Sequence, residues 1–311
     1  MVTDKRNYDV IIIGGGPAGL TAGIYTSRGR LSSLLIEREL IGGQIANIER
    51  LENFPGFPEG IGGFELGQLM HRQATQFGLT TITADATGIE LQEGNKKVVK
   101  TTEGDFTAKV VIISGASKRR KMGVPGEEEF TGKGVSYCAT CDAPLFRDQA
   151  VAVIGGESIA VTEALHLAKF ASKVTVVHRR DQLRASRILE ERALAEPKIT
   201  FLWRTVVDAV EGEAFVKRLK LHQAPGGEKS TLEVAGVFVA MGFQPDTTYL
   251  KGMLELDPIG HIITNEKMET KIPGILAAGD IRYNSARQAI TAAGDGATAA
   301  INAERFLTEH E

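Results

Sequence analysis

The chain predicts an α/β fold of two doubly wound units, each a mostly parallel sheet covered by helices, with the second unit inserted into the first. Three observations carry this. An apolar, β-branched strand near the N-terminus runs into a glycine-rich turn and a helical pattern; the same order recurs from residue 150; and a strand, a Gly-Asp turn and an alanine-rich helical pattern return after residue 275. Strands that alternate with helical segments read as βαβ units around a parallel sheet, and 311 residues suit two domains of ordinary size.

The first copy opens with a strand over residues 8–13, continues as Gly14-Gly15-Gly16-Pro17-Ala18-Gly19 and enters a helix over 20–28. GxGxxG between strand and helix is the Rossmann-like dinucleotide turn. Gly14 permits the tight turn, Gly16 lets backbone approach a pyrophosphate, and Gly19 lets the helix pack on the sheet, with Pro17 and Ala18 in the turn and the helix N-terminus facing the anion. The next strand, 33–36, ends in Glu37, which stands 23 residues after Gly14. That is where an acid accepts hydrogen bonds from a ribose 2′-hydroxyl.

The second copy has a strand at 150–154, the turn Gly155-Gly156-Glu157-Ser158-Ile159-Ala160, a helix over about 159–170 and a strand at 173–177 that ends in His178, again 23 residues after the first glycine. No acid follows it. His178, Arg179, Arg180 and Arg184 instead offer cationic forks where a ribose 2′-phosphate would lie, which points to NADPH rather than NADH. Glu157 takes the place of the second glycine. A like charge about 4 to 5 Å from the pyrophosphate, at an effective dielectric near 20, costs roughly 3 to 4 kcal/mol, while each guanidinium bond to phosphate returns roughly 1.5 to 3 kcal/mol. The two are comparable, so Glu157 either turns to solvent or caps the helix that follows.

A strand over 231–240 closes the inserted unit and 241–245 leads back. A strand at 275–278 then ends in Gly279-Asp280, before an alanine-rich helix that begins near Arg287. Asp280 suits sugar or ribityl hydroxyls, or a helix cap. The boundaries this gives are residues 1–116 and 246–311 for the first, discontinuous unit and 117–245 for the insert.

The chain has two cysteines, Cys138 and Cys141, followed at once by Asp142. Cys-x-x-Cys at this spacing reads as a redox couple, with the trailing carboxylate a proton donor and acceptor for a leaving thiolate. A metal site is disfavoured because zinc takes four ligands and no further Cys or His pair has the spacing. The formal charge of −3 gives no basis for nucleic-acid or membrane binding. The apolar run at 10–13 is too short for a signal-peptide core, and no stretch approaches a bilayer span. The expected location is therefore cytoplasmic, where such a pair cycles. The acidic run Glu127-Glu128-Glu129 reads as a solvated loop in preference to a segment that positions a partner.

Several motifs together resemble the low-molecular-weight bacterial thioredoxin reductases over nearly the whole chain, within a pyridine nucleotide-disulfide oxidoreductase-like fold. They are Gly14 to Gly19, Gly42-Gly43-Gln44, Asn53-Phe54-Pro55-Gly56, Ser136 to Asp142, His178 to Ala185, Ala278-Gly279-Asp280 and Arg287-Gln288-Ala289. The resemblance implies one FAD per subunit, a homodimer, thioredoxin as the partner, and rotation of the inserted unit between two half-reactions. It makes Cys141 the sulfur nearest the flavin, Cys138 the one that attacks the partner's disulfide and Asp142 the acid. Gly43, Gln44, Asn53, Asp280, Arg287, Gln288 and Ala289 would touch the flavin. Three departures stand out: Glu157, Ser114 within Ile113-Ser114-Gly115 where the family has Ala-Thr-Gly, and Ala143-Pro144 where it has glycine and an aromatic. The favoured donor is NADPH. Glu157 motivates an alternative in which ferredoxin or another protein supplies the electrons, and a further alternative is a redox-sensing flavoprotein with little turnover.

Overall fold

The computed structural model describes residues 5–115 and 117–310. They form two compact units, one of Met1–Lys118 with Gln244–Glu311 and one of Arg119–Phe243. No helix among the described residues is long and apolar enough to cross a membrane.

The first unit runs β1 (Asn7–Ile13), α1 (Pro17–Arg28), β2 (Ser33–Glu37), α2 (Gly63–Gln76), β3 (Thr80–Thr83), β4 (Ala86–Leu91), β5 (Lys97–Thr101) and β6 (Phe106–Ile113). Its strand order is β3-β2-β1-β6-β5-β4. The last four residues of β1 (Val10–Ile13) and of β6 (Val110–Ile113) are all apolar and buried because both faces are covered there, as parallel strands require. Val10 and Ile12 pack beneath the helices, whereas Ile11 and Ile13 meet the opposite core, with Leu250 and Ile281. Each such side chain contributes roughly 1.5 to 3 kcal/mol of burial.

After β7 (Ser117–Arg119), the second unit runs β8 (Val135–Ser136), α3 (Ala139–Asp142), β9 (Ala150–Ile154), α4 (Ser158–Leu167), β10 (Lys173–Val177), α5 (Arg187–Ala195), β11 (Ile199–Leu202), β12 (Thr205–Gly212), β13 (Val216–Gln223), β14 (Lys229–Glu233) and β15 (Gly236–Val239). A parallel sheet, β11-β10-β9-β15-β8, carries the helices on one face and the antiparallel β12-β13-β14 meander on the other. The single strand expected at 231–240 is two. Its first half alternates exposed and half-buried residues as a meander edge, and its second half is fully buried at the sheet centre. Following β16 (Phe243–Pro245), the chain returns to the first unit as β17 (Ile275–Ala277), which extends the sheet alongside the end of β6, and α6 (Ala289–Glu309). The α6 helix starts two residues later than expected, because Arg287 is left-handed (φ 54°) and Gln288 extended.

Candidate active site

Cys138 and Cys141 are joined as a disulfide, with Cα atoms 5.3 Å apart. Cys138 is the extended N-cap of α3 and its Sγ accepts the Cys141 N–H at 3.3 Å. Cys141 is exposed and Cys138 half-buried. The short helix is anchored by Ala139 and Ala143, which pack into the core shared with α4. That explains a small residue after Asp142, with Pro144 opening a 3-10 turn and leaving Leu145 72% exposed. Asp142 accepts a hydrogen bond from the Ser136 hydroxyl at 2.6 Å. The intervening Tyr137 donates to Glu127 at 2.7 Å, and Glu127 also takes the N–H groups of Met122 and Gly123. Glu127 is 1% exposed, so the acidic run is not a wholly solvated loop: Glu128 and Glu129 face water while Glu127 fastens the cysteine segment. Burial, with the Glu127 carboxylate beside it, pushes the Tyr137 phenol well above its ordinary value.

In the first unit the glycine turn is sterically required. A Cβ on Gly14, at φ +105°, would lie 2.5 Å from Gly115 Cα, and one on Gly19 would lie 1.9 Å from the Gly14 carbonyl oxygen. The Ser114 hydroxyl lies 3.0 Å from the carbonyl oxygens of Ile13 and Gly14, so the change from threonine keeps the group that matters here. Gly16 differs: a Cβ there would meet nothing nearer than the Gly42 carbonyl at 3.9 Å. It caps α1 with no side-chain bond, Pro17 follows, and no acid stands in the first turn, so the unpaired N–H groups there suit an anion. Glu37 accepts the Gly15 N–H at 2.5 Å and the Glu39 N–H at 2.8 Å. It braces the turn, and each carboxylate oxygen keeps a lone pair for a ribose hydroxyl.

Residues far apart in sequence converge on this turn. Gly43 lies against Gly16, and Gly279 against Ala18. Asn53 Nδ2 donates to Gln288 Oε1 at 3.0 Å, in front of Ala289 at the start of α6. Gln44 lies in the 3-10 turn Gly43–Asn47. Burial raises the Asp280 carboxyl above its ordinary value, against the Ser285 hydroxyl bond and the nearby Arg287 charge. Arg287 Nη2 contacts His261 Nε2 at 3.3 Å, and His261 Nδ1 contacts Asp257 at 2.8 Å. With Nδ1–H donating to Asp257, Nε2 is left to accept from Arg287. Sequence reasoning missed His261, Asp257 and the buried Asp295, which takes the Gly279 N–H at 3.1 Å and a fork from Arg282. A lone acid phased with Ala292, Gly296 and Ala299 on the apolar face of α6 was the available signal for Asp295.

In the inserted unit, Gly155 and Gly156 are equally confined. A Cβ on Gly155 would meet the Ala240 carbonyl at 2.3 Å, and one on Gly156 the His178 ring at 2.4 Å. This corrects one expectation. His178 is 7% exposed and packed under the turn, and burial lowers its pKa, so it stays neutral rather than joining the arginines as a cation. Arg179, Arg180 and Arg184 are exposed. Their loop is tied to the turn by the Arg184 N–H on Gly156 O at 2.7 Å and the Ser186 N–H on Ser158 Oγ at 3.2 Å. Glu157 has ordinary extended backbone (φ −94°), is exposed and makes no capping bond. Its carboxylate points toward Gly242, with Oε2 3.9 Å from where a Cβ on that glycine would stand. Of the two placements open to it, solvent is the one taken.

A model of the pyridine nucleotide-disulphide oxidoreductase family matches residues 8–296. The thioredoxin reductase of Streptomyces coelicolor is 46% identical over 308 residues, 98% of this chain and 95% of that one. The crystal structure of Lactococcus lactis thioredoxin reductase matches with a TM-score of 0.94 at 42% identity, over 97% of this chain and 99% of the other. A ferredoxin-flavin thioredoxin reductase from Clostridium acetobutylicum matches with a TM-score of 0.53 at 31% identity, over 97% and 99%.

Proposed function

The chain belongs to the pyridine nucleotide-disulphide oxidoreductases and is of the low-molecular-weight bacterial thioredoxin reductase type; from that premise we propose that it passes electrons from NADPH, through one FAD per subunit, to Cys138–Cys141 and on to the disulfide of a thioredoxin. The observation that carries this is the closed Cys138–Cys141 bridge beside a hydrogen-bonded Asp142, in a unit whose own nucleotide turn bears exposed arginines. The open face of Gly16 and the uncapped start of α1 fit a flavin dinucleotide's pyrophosphate, with Glu37 at its ribose and Gly43, Gln44, Asn53, Asp280, Arg287, Gln288 and Ala289 for the rest. Bound FAD supplies two-electron exchange between a nicotinamide hydride and a disulfide. Gly155, Gly156, Arg179, Arg180 and Arg184 are the residues that would hold NADPH.

Two electrons and one proton, together a hydride equivalent, cleave the Cys138–Cys141 bond to a Cys138 thiolate and a Cys141 thiol. The Cys138 thiolate attacks one sulfur of the thioredoxin disulfide; that bond breaks, and its other sulfur leaves as a thiolate that Asp142 protonates. Cys141 then attacks Cys138 in the mixed disulfide, which restores the bridge; the second thioredoxin sulfur leaves as a thiolate and takes a proton from water, so thioredoxin departs as a dithiol. Asp142 recovers its proton from the Cys141 thiol as that sulfur becomes the nucleophile. The enzyme is proposed to work in the cytoplasm as a homodimer.

The test is anaerobic mixing of the FAD-loaded protein with NADPH, and separately NADH, while oxidised-flavin absorbance is followed; bleaching by NADPH and subsequent thioredoxin reduction are expected. Cys138→Ser should bleach yet reduce no thioredoxin. If neither nucleotide bleaches the flavin, the NADPH assignment fails, and reduced ferredoxin is the donor to try. The ferredoxin reading draws on Glu157, and the exposed placement of that residue leaves it with less support.

A further inference from the structure

Ser136 has no part in the chemistry described so far, yet its hydroxyl lies between two groups that do. Its Oγ is 2.6 Å from Asp142 Oδ2 and accepts the Cys138 N–H at 3.1 Å; the Cys138 carbonyl is more distant, at 3.4 Å. A hydroxyl has one hydrogen, and the short distance assigns it to the carboxylate. Ser136 thus links the backbone of the attacking cysteine to the side chain of the acid. The link is held on both sides. Ser136 is buried in β8, in register with Phe238 of β15, and the next residue is fastened by the Tyr137–Glu127 bond.

We propose that Ser136 is a positioning residue for disulfide exchange: its hydroxyl holds the Asp142 carboxyl at the dithiol, where the carboxyl delivers its proton to the departing thiolate. This deepens the disulfide-reductase reading and rests on it. A proton donor acts only within hydrogen-bond reach of its acceptor, and small misplacements are costly. Among the described residues the Asp142 side chain has no other hydrogen-bond anchor, since the second bond of its residue, N–H to the Cys138 carbonyl at 3.1 Å, is a backbone one. Without Ser136 its carboxyl would be free to turn to other rotamers. The step itself is unchanged: the sulfur–sulfur bond of the partner breaks, its electron pair stays on the leaving sulfur, and that sulfur takes the Asp142 proton.

The experiment compares the FAD-loaded wild type with Ser136→Ala, Asp142→Asn and the double variant, using NADPH and a purified bacterial thioredoxin. Flavin reduction by NADPH is recorded separately from thioredoxin reduction. Asp142→Asn should slow thioredoxin reduction about 100-fold, within the range of general acids, and Ser136→Ala about tenfold. In Ser136→Ala the loss should fall on kcat rather than on KM for thioredoxin, with flavin reduction unaltered. In the Asp142→Asn background the serine change should have no further effect, because the group it positions is gone. An equal loss in both backgrounds would make Ser136 structural only and overturn the proposal, as would a Ser136→Ala enzyme as fast as the wild type. If Ser136→Ala does not fold, the isosteric pair Ser136→Thr and Ser136→Val takes its place: a fast threonine and a slow valine support the proposal, and equal rates refute it. A wild type that reduces no thioredoxin would refute the underlying function instead, before any variant is compared.

Discussion

The turn after β1 and the turn after β9 follow nearly the same path with different side chains. At the position closest to a bound pyrophosphate, Gly16 has φ −79° and Glu157 has φ −94°, both open to any residue. The first glycine is left-handed in one (Gly14, +105°) and positive in the other (Gly155, +154°). Beneath each turn lies the last residue of the following strand region. Glu37 takes the Gly15 N–H there, whereas the neutral His178 ring packs flat space under Gly156. Backbone therefore does not distinguish the sites. What distinguishes them is chemical: a carboxylate braced by backbone N–H groups in one, and three exposed guanidiniums beside an exposed carboxylate in the other.

The largest effects should come from the first turn, and they separate folding from binding. Gly19→Ala places a Cβ 1.9 Å from a backbone oxygen, with no flexible group to yield, and purified protein should lack flavin absorbance and unfold early. Gly16→Ala meets only an ordinary contact, the Gly42 carbonyl oxygen at 3.9 Å, and should fold with a wild-type circular dichroism spectrum, yet lose FAD because its methyl stands where the pyrophosphate approaches. A Gly16→Ala protein that kept its flavin would show that the two turns do not share a role. Next comes the arginine loop. With Arg179, Arg180 and Arg184 all changed to alanine, KM for NADPH should rise about 100-fold, since two charge-assisted bonds are worth ~3 kcal/mol. KM for NADH should barely change, and steady-state kinetics with both nucleotides would expose an equal rise as mere loss of packing.

Those two sites were also unequally legible in the sequence. Strand, glycine turn and following strand were readable in both copies because the close contacts at Gly14, Gly19 and Gly155 admit almost no other residue. The redox pair was equally plain from Cys138 and Cys141. The charge state and direction of a side chain were not: His178 next to two arginines looks like a third cation until its burial is known. Nor were polar supports such as Ser136, Glu127, His261 and Asp295, because a hydrogen-bonded buried acid and a solvated one have the same letter. The β12-β13-β14 meander escaped for a related reason, as its exposed faces dilute the apolar pattern.

Smaller shifts test the second turn more finely. Glu157→Gly should strengthen NADPH binding, measured by flavin-independent titration of the nucleotide, by about tenfold at most, a change of ~1.4 kcal/mol. No gain would mean that the outward carboxylate already leaves the pyrophosphate undisturbed.

The smallest expected effect lies in the helices behind the turns. The α1 helix packs through small and apolar residues, with no acid in its first turn, whereas α4 carries Glu163, whose Oε2 is shielded from solvent without a hydrogen-bond partner among the described residues. Burial pushes this carboxyl up to about 7, with Arg119 pulling the other way. Since the folded state then holds the proton more tightly than the unfolded state does, the contribution to stability is fully present below the ordinary carboxylate value of 4.5. It is lost as pH rises through about 7. The insert should therefore melt at lower temperature at pH 8 than at pH 5, and Glu163→Gln, which cannot ionise, should flatten that difference. Trp203 is the only tryptophan and lies in the inserted unit, so its fluorescence follows this unit directly. A pH slope that survives the glutamine would assign it to another group and leave Glu163 with no part in the contrast between the two helices.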